Sequence, residues 1–280
     1  MDELYAAVAN ALRSGERVAL ATVVRAEGST PRSAGAQMVI WESGRTLGTI
    51  GGGSLEAQVL RDASTALAQG QSLLRRYSLH ATGEESLGIC GGTLEVFIHV
   101  LLPADRLVIV GAGHVAQPLA RLAAAVGFDV LVVDDRPEYL LPERFPGARV
   151  QAVSFTDLAS QLPLDGRTSV VVATRSHEHD EEVLRQLIRQ PLAYLGMMGS
   201  RAKVRLLFQR LLSEGYSSEE LARVHAPIGL DIGAETPEEI AVSIVAELVQ
   251  ARRGGTGLPL SQLARSAGAP TDERLEQADG

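Results

Sequence analysis

The chain has 280 residues, 45% of them hydrophobic and 21% charged, with a formal net charge of −8. That length suits two domains, the balance is that of a globular protein, and the acidic charge argues against the basic face that nucleic acid requires. Its apolar runs fall short of the roughly 20 residues that span a bilayer, its single cysteine excludes an intramolecular disulfide, and Met1 to Glu16 carries early acids and no signal-peptide core, so a reduced, cytoplasmic setting is expected.

Asp2 to Gly15 predicts an amphipathic helix, with Leu4, Val8 and Leu12 at helical spacing and Gly15 as its stop. Arg17 to Arg25 is rich in β-branched residues and predicts a strand. Gly28 to Arg32 is a loop marked by Gly and Pro. Gln37 to Trp41 and Thr46 to Ile50 predict two strands around a turn at Ser43 and Gly44. The run Gly51, Gly52, Gly53, Ser54 precedes a helix over Leu55 to Gln69, closed by Gly70. Ser54 is the natural N-cap, and Ala57 stands where a Glu would complete a capping box. Leu73 to Leu79 predicts a strand and His80 to Gly88 a polar loop. Ile89, Cys90, Gly91 and Gly92 lead into an alternating strand, Thr93 to Leu102, followed by a linker at Pro103 to Asp105. Residues 1–103 thus predict an N-terminal α+β domain with glycine turns at its strand ends.

From Arg106 the pattern alternates strand and helix, which predicts an α/β, Rossmann-like, doubly wound parallel sheet over residues 104–253. Its opening unit is the most informative stretch in the chain. An apolar run, Leu107 to Val110, meets Gly111, Ala112, Gly113, His114, Val115 and Ala116, a G-x-G-x-x-A turn. A helix follows with Val115, Leu119, Leu122 and Val126 on one face, stopped by Gly127. A second apolar run, Val130 to Val133, ends in Asp134 and Asp135. Gly111 permits a tight turn, Gly113 lets a phosphate approach the backbone, and Ala116 lets the helix pack closely on the strand. The helix N-terminus then faces an anion, and Asp134 stands where a carboxylate meets a ribose hydroxyl. The plain alternative is the same unit with no nucleotide in it.

Further along, Arg149 to Val153 predicts a third strand and Ser169 to Thr174 a buried one, followed by a helix through Gln190. Ala193 to Met198 predicts a fifth strand. Helices are expected over Ala202 to Glu214, over Ser217 to Val224, and from Thr236 to about Arg252, where a cap, a Pro and first-turn acids coincide. His225 to Gly233 reads as a loop and residues 254–280 as a flexible tail.

Ligands of open α/β sheets bind beyond the C-terminal strand ends. Those ends are Gly111 to His114, Asp134 to Arg136, Arg175 to Asp180 and Gly199 to Arg201, with Gly111, Gly113, His114, Asp134, Ser176, His177, Gly199 and Ser200 as the candidate ligand contacts. His177 and His179 lie two apart, a poor metal spacing on a helix though usable on an extended loop; helix capping by Ser176 or His177 is the competing role. Cys90 is either a small buried hydrophobe or a thiolate favoured by the open backbone at Gly91 and Gly92 and suited to a soft redox metal. Gly51, Gly52 and Gly53 form a second anion-cradle candidate, or simply a tight turn before a helix. No HExxH, Walker A or CxxC motif occurs, and no catalytic residue set is recognisable.

Seven segments in order carry a resemblance: Gly28 to Arg32 (GSTPR), Gly48 to Glu56 (GTIGGGSLE), Gly88 to Gly92 (GICGG), Ile109 to Ala116 (IVGAGHVA), Ser176 to Asp180 (SHEHD), Gly199 to Arg201 (GSR) and His225 to Ile244 (HAPIGLDIGAETPEEIAVSI). Together they resemble the XdhC/CoxI family of xanthine dehydrogenase accessory factors over residues 1–252. The resemblance implies a chaperone rather than an enzyme. It would bind the molybdenum cofactor (molybdopterin) as cargo, support its sulfuration by a cysteine desulfurase, and insert it into an apo xanthine dehydrogenase-type molybdenum hydroxylase. The cargo has a phosphate, for which the glycine-rich helix start is suited, and a dithiolene-held molybdenum, which Cys90 could approach. A homodimer is the oligomeric state considered. Two rivals stand beside this reading: an NAD(P)-dependent oxidoreductase with His177 or His179 as proton donor, and a non-catalytic nucleotide sensor.

Overall fold

In the computed structural model, which describes residues 2–79 and 91–266, the chain divides into two units, Met1–Ala104 and Asp105–Gly280. The first holds α1 (Asp2–Arg13), β1 (Val18–Glu27), β2 (Gln37–Trp41), β3 (Thr46–Gly48), α2 (Gly53–Gln69), β4 (Leu73–Ser78) and β5 (Thr93–Leu101). Its strands pair antiparallel in the order β3-β2-β1-β5-β4. The pairing of β1 with β5 runs from Val18 opposite Leu101 to Glu27 opposite Thr93, with a register shift between Val23 and Arg25. Strand side chains alternate between faces, and each face has its own helix. Leu55, Val59, Ala63 and Leu67 of α2 pack with Ala19, Ala21, Val96 and Ile98. Val8 and Ala11 of α1 pack with Val18, Leu20, Val39 and Trp41.

Helix α2 departs from expectation at its start. It begins at Gly53 with Gly52 as N-cap, and no side chain caps it from that position. Ser54 lies inside the helix, so it is not the cap. Gly51, Gly52 and Gly53 all have positive φ (139, 76 and 63°). A run of three such values needs glycine, and it turns the backbone into the helix two residues earlier than a cap at Ser54 would.

The second unit holds β6 (Arg106–Val110), α3 (Ala116–Ala125), β7 (Asp129–Asp134), β8 (Arg149–Ala152), α4 (Leu158–Gln161), β9 (Thr168–Val172), α5 (His177–Leu187), β10 (Tyr194–Met197), α6 (Arg201–Ser213), α7 (Ser218–Ala222), β11 (Val224–His225), α8 (Pro237–Arg253) and α9 (Leu260–Ser266). Its sheet is parallel with the order β11-β10-β9-β6-β7-β8. Numbered from β6, this is the 3-2-1-4-5-6 arrangement of a doubly wound Rossmann sheet, whose direction of winding reverses between β6 and β9. Leu107 and Ile109 point to the side of α3 and α8. Val108 and Val110 point to the side of α5 and α6. Burying each such side chain stabilises the unit by roughly 1.5–3 kcal/mol.

Two stretches differ from the sequence expectation. Val224 and His225, expected as a helix end and a loop, pair with Leu195 and Gly196 as an edge strand. Residues 254–280, expected as a flexible tail, include α9. Among the described residues no helix is long and apolar enough to cross a membrane.

Candidate functional site

The turn after β6 is shaped by two glycines in different ways. Gly111 has φ of +109°, its N–H donates to the Val133 carbonyl at 2.7 Å, and a Cβ there would overlap the carbonyl oxygen of Ala173. It is a glycine because the ends of β6 and β9 approach so closely. Gly113 has ordinary φ, and a Cβ there would meet nothing within 4 Å. A ligand placed there would have access to the backbone. Ala116 is buried against the sheet, and His114 is exposed. Helix α3 starts at Ala116 with Val115 as N-cap and no side-chain cap. By contrast α5, α6, α7 and α8 are closed by Ser176, Ser200, Ser217 and Thr236. Pro118 has no N–H, so the first-turn donors of α3 that an anion could meet are those of Ala116 and Gln117.

Asp134 corrects the sequence reading. Its side chain is 1% exposed. Its Oδ2 accepts from Ala112 N at 2.8 Å and from Arg136 Nη2 at 3.1 Å. Its Oδ1 accepts from Arg136 N at 3.0 Å and from Arg136 Nε at 2.8 Å. A carboxylate offers about four lone-pair directions, and all are taken, so Asp134 is spent on the turn rather than offered to a ribose. Arg136 itself lies over the Tyr139 ring at 3.9 Å. The next carboxylate, Asp135, is gripped by both terminal nitrogens of Arg175, one of them at 2.8 Å. Those hydrogen bonds to Arg175 are what hold the Asp135 carboxyl below its usual range. This pair joins the loops on the two sides of β6.

Beyond β9, Ser176 Oγ caps α5 by accepting from His179 N at 3.3 Å. It also lies 2.6 Å from His179 Nδ1, while Arg175 Nη2 lies 3.3 Å from His179 Nε2. A guanidinium can only donate, so Nε2 accepts and the ring proton sits on Nδ1, aimed at Ser176. The serine oxygen then accepts twice and its own proton points away as a donor. His177 is exposed at the first position of α5. Residues two apart do not face each other on a helix, so His177 and His179 form no metal pair. Among the described residues no group of three His, Cys, Asp or Glu is placed to hold a metal.

One further residue here, Lys203, escaped the sequence reading, and Asp180 entered it only as the last residue of the strand-end segment Arg175 to Asp180. Asp180 is 2% exposed and accepts from Thr174 N at 3.1 Å, Thr174 Oγ1 at 2.6 Å and Lys203 Nζ at 2.6 Å. Lys203 N in turn donates to the Ser200 cap at 3.3 Å, and the Lys203 stem lies against Gly199. The available signal was Lys203 itself, the one lysine in the chain.

The first unit brings its glycine motifs together at one end of its own sheet. A Cβ at Gly51 would meet Pro31 Cγ at 2.5 Å, one at Gly28 would meet Gly92 Cα at 3.3 Å, and one at Gly92 would meet the Glu27 carbonyl at 2.7 Å. The cradle expected at Gly51 to Gly53 is nevertheless engaged. Glu56 accepts from Thr49 Oγ1 at 2.5 Å, Gly52 N at 2.9 Å and Ile50 N at 3.1 Å, while Gly51 N donates to Thr49 Oγ1 at 3.2 Å. The chain's own carboxylate sits where an external anion was expected. Gly91 N donates to the Leu79 carbonyl at 3.1 Å, so it too is used internally. Cys90 lies outside the described residues.

A family model described as the XdhC Rossmann domain matches residues 107–248, and one described as the XdhC and CoxI family matches residues 11–78. The uncharacterized protein YqeB of Escherichia coli K12 is 41% identical over 85% of this chain, which spans 44% of that relative's length. A Bacillus subtilis protein named as a probable xanthine dehydrogenase component is 29% identical over 86% of this chain and 95% of its own. The molybdenum cofactor insertion chaperone PaoD of E. coli K12 is 25% identical over 86% of each chain.

Proposed function

We propose that the chain, which belongs to the XdhC and CoxI family, is a maturation factor that carries molybdenum cofactor to a xanthine dehydrogenase-type apo-hydroxylase. The finer parts of the proposal are that it holds the cofactor while a cysteine desulfurase sulfurates it, and then inserts it into the client. One observation carries this reading over the dinucleotide enzyme: the α3 turn is open to a phosphate while Asp134, the carboxylate that would read a ribose, is saturated by Ala112 and Arg136. A phosphate-bearing ligand without a ribose diol at that point fits both facts, and molybdopterin is such a ligand. The name of the PaoD relative points the same way.

Gly113, His114 and the first turn of α3 would take the phosphate. Ser176, with its proton turned outward, and Gly199 and Ser200 would line the neighbouring strand ends. His179 is committed to Ser176 and Arg175 and is poorly placed to deliver a proton to a substrate. The cofactor, when bound, brings the metal and its redox chemistry; the chain's part is to seat it and keep it from solvent. Holding must be firm yet reversible, and a micromolar Kd, about 8 kcal/mol, meets both needs. A donor that meets its client briefly also needs only a small, polar interface.

The test begins with protein purified from molybdenum-replete cells and assayed for pterin, phosphorus and molybdenum. It continues with apo-hydroxylase and sulfurated cofactor, with the protein added or withheld in the presence of a cofactor scavenger. Faster and fuller activation with the protein is expected. Equal activation without it would end this reading and return attention to hydride transfer.

A further inference from the structure

Of the 26 lysine and arginine residues, only Lys203 is a lysine. Several carboxylates of the second unit are fixed by arginine. Arg136 grips Asp134 and Arg175 grips Asp135 through two nitrogens each, and Arg185 and Arg210 divide the oxygens of Glu181. A guanidinium fork locks its partner in one geometry. Asp180 is handled differently. Thr174 satisfies Oδ1, and among the described residues the only cation on it is one ammonium meeting Oδ2 at a single point.

An ammonium has three N–H donors. Asp180 takes one, and among the described residues no other acceptor lies within hydrogen-bonding distance of Nζ. The side chain remains 30% exposed. Its stem rests on Gly199, where a Cβ would stand 3.3 Å from Lys203 Cδ. Lys203 and Arg201 occupy the first turn of α6, which has no acid of its own, while α5, α7 and α8 all carry acids at the same place. Asp180 supplies one anion there, so the two cations and the helix N-terminus still leave the place net positive.

We propose that Lys203 is an oxyanion contact of the strand-end site. Its ammonium, held in position by Asp180, turns its remaining donors to a negatively charged group of the bound ligand. A lysine can rotate about its bond to Asp180 and keep it; an arginine fork would have to release it. Because β10 is two strands from β6, about 10 Å at ordinary strand spacing, Lys203 meets a different part of the ligand from the α3 turn. The ligand class is therefore an elongated molecule with two anionic centres. This assignment rests on the reading of these strand ends as the cofactor's seat.

The single lysine makes the test site-specific. Reductive methylation labels only Lys203 and the α-amino terminus, so the terminus serves as an internal control. Labelling is followed by peptide mass spectrometry with molybdopterin cofactor, with inorganic phosphate, and with neither; pterin fluorescence reports binding. Bound cofactor is expected to slow methylation of Lys203 at least tenfold and leave the terminus unchanged. The paired variant Asp180→Asn with Lys203→Met removes both charges together, which avoids stranding a buried one. It should keep its Tm and bind cofactor at least tenfold more weakly. Unchanged labelling with cofactor bound overturns the assignment, and so does full affinity in the variant. If wild-type protein binds no pterin, the maturation reading falls by itself. The phosphate arm then decides Lys203: protection keeps the anion contact, and equal labelling removes it.

Discussion

Gly111 and Gly113 stand two residues apart in one turn, yet their surroundings give them different work. Gly111 combines a positive φ with an overlap against the Ala173 carbonyl. Gly111→Ala is expected to cost about 3 kcal/mol or more, from backbone strain and displacement of β9, measured by urea unfolding. Gly113→Val should leave stability almost unchanged, since a Cβ there meets nothing within 4 Å. It should weaken cofactor binding at least tenfold, measured by calorimetry; unchanged affinity would show that no ligand passes over Gly113. The glycine pattern alone made this turn legible. What became of Asp134 was not legible, because Arg136 folds back onto it from two residues away, and a linear pattern does not record side-chain direction. The pairing of Asp180 with Lys203 was missed for the same reason: they are 23 positions apart and meet only because β9 and β10 are neighbours.

At the scale of elements, α2 shows how a helix start can be built without a capping serine. Glu56 reaches back over the turn that precedes the helix. Burial alone would raise its pKa, but the Thr49 hydroxyl and the backbone N–H groups of Gly52, Ile50 and Gly51 outweigh that and hold it below the usual value. A carboxyl depressed in the folded state contributes stability that is present above its unfolded pKa, about 4.3, and lost as pH falls through the folded value. Wild-type protein should therefore lose more stability between about pH 5 and pH 3 than Glu56→Gln does, in paired thermal melts. Parallel acid curves for the two proteins would remove Glu56 from this role. Helix α8 is the control: Thr236 and Glu239 form a full capping box, visible in the sequence as Thr-Pro-Glu-Glu. Thr236→Ala should cost about 1 kcal/mol and leave cofactor affinity alone. Elements with several turns or a clear alternation were legible, α8 and β5 among them. The strand β11 has two residues, too few to display a period; it exists because β10 offers it an edge.

At the scale of the molecule, the residues proposed for the strand-end site all belong to the second unit. Gly113, Ser176, Asp180 and Lys203 all lie after Asp105, and two cores flank its sheet on opposite faces. The first unit has its own cores around α2 and α1. The sequence announced this division through the change from antiparallel-type alternation to strand-helix repeats. The strand order followed only from the rule that parallel crossovers are right-handed and wind outward from a central pair. A sheet whose central strands are covered on both faces by its own helices has what it needs to fold alone. Residues 105–280 expressed separately are therefore predicted to unfold cooperatively and to bind molybdenum cofactor within about threefold of the whole chain's affinity, a difference of less than 1 kcal/mol. Activation of the apo-hydroxylase should nevertheless require residues 1–104. A fragment that folds and binds no cofactor would move the cofactor's seat to the first unit. There, the turn closed by Glu56 would be the first place to look, with Glu56→Gln as the variant that opens it.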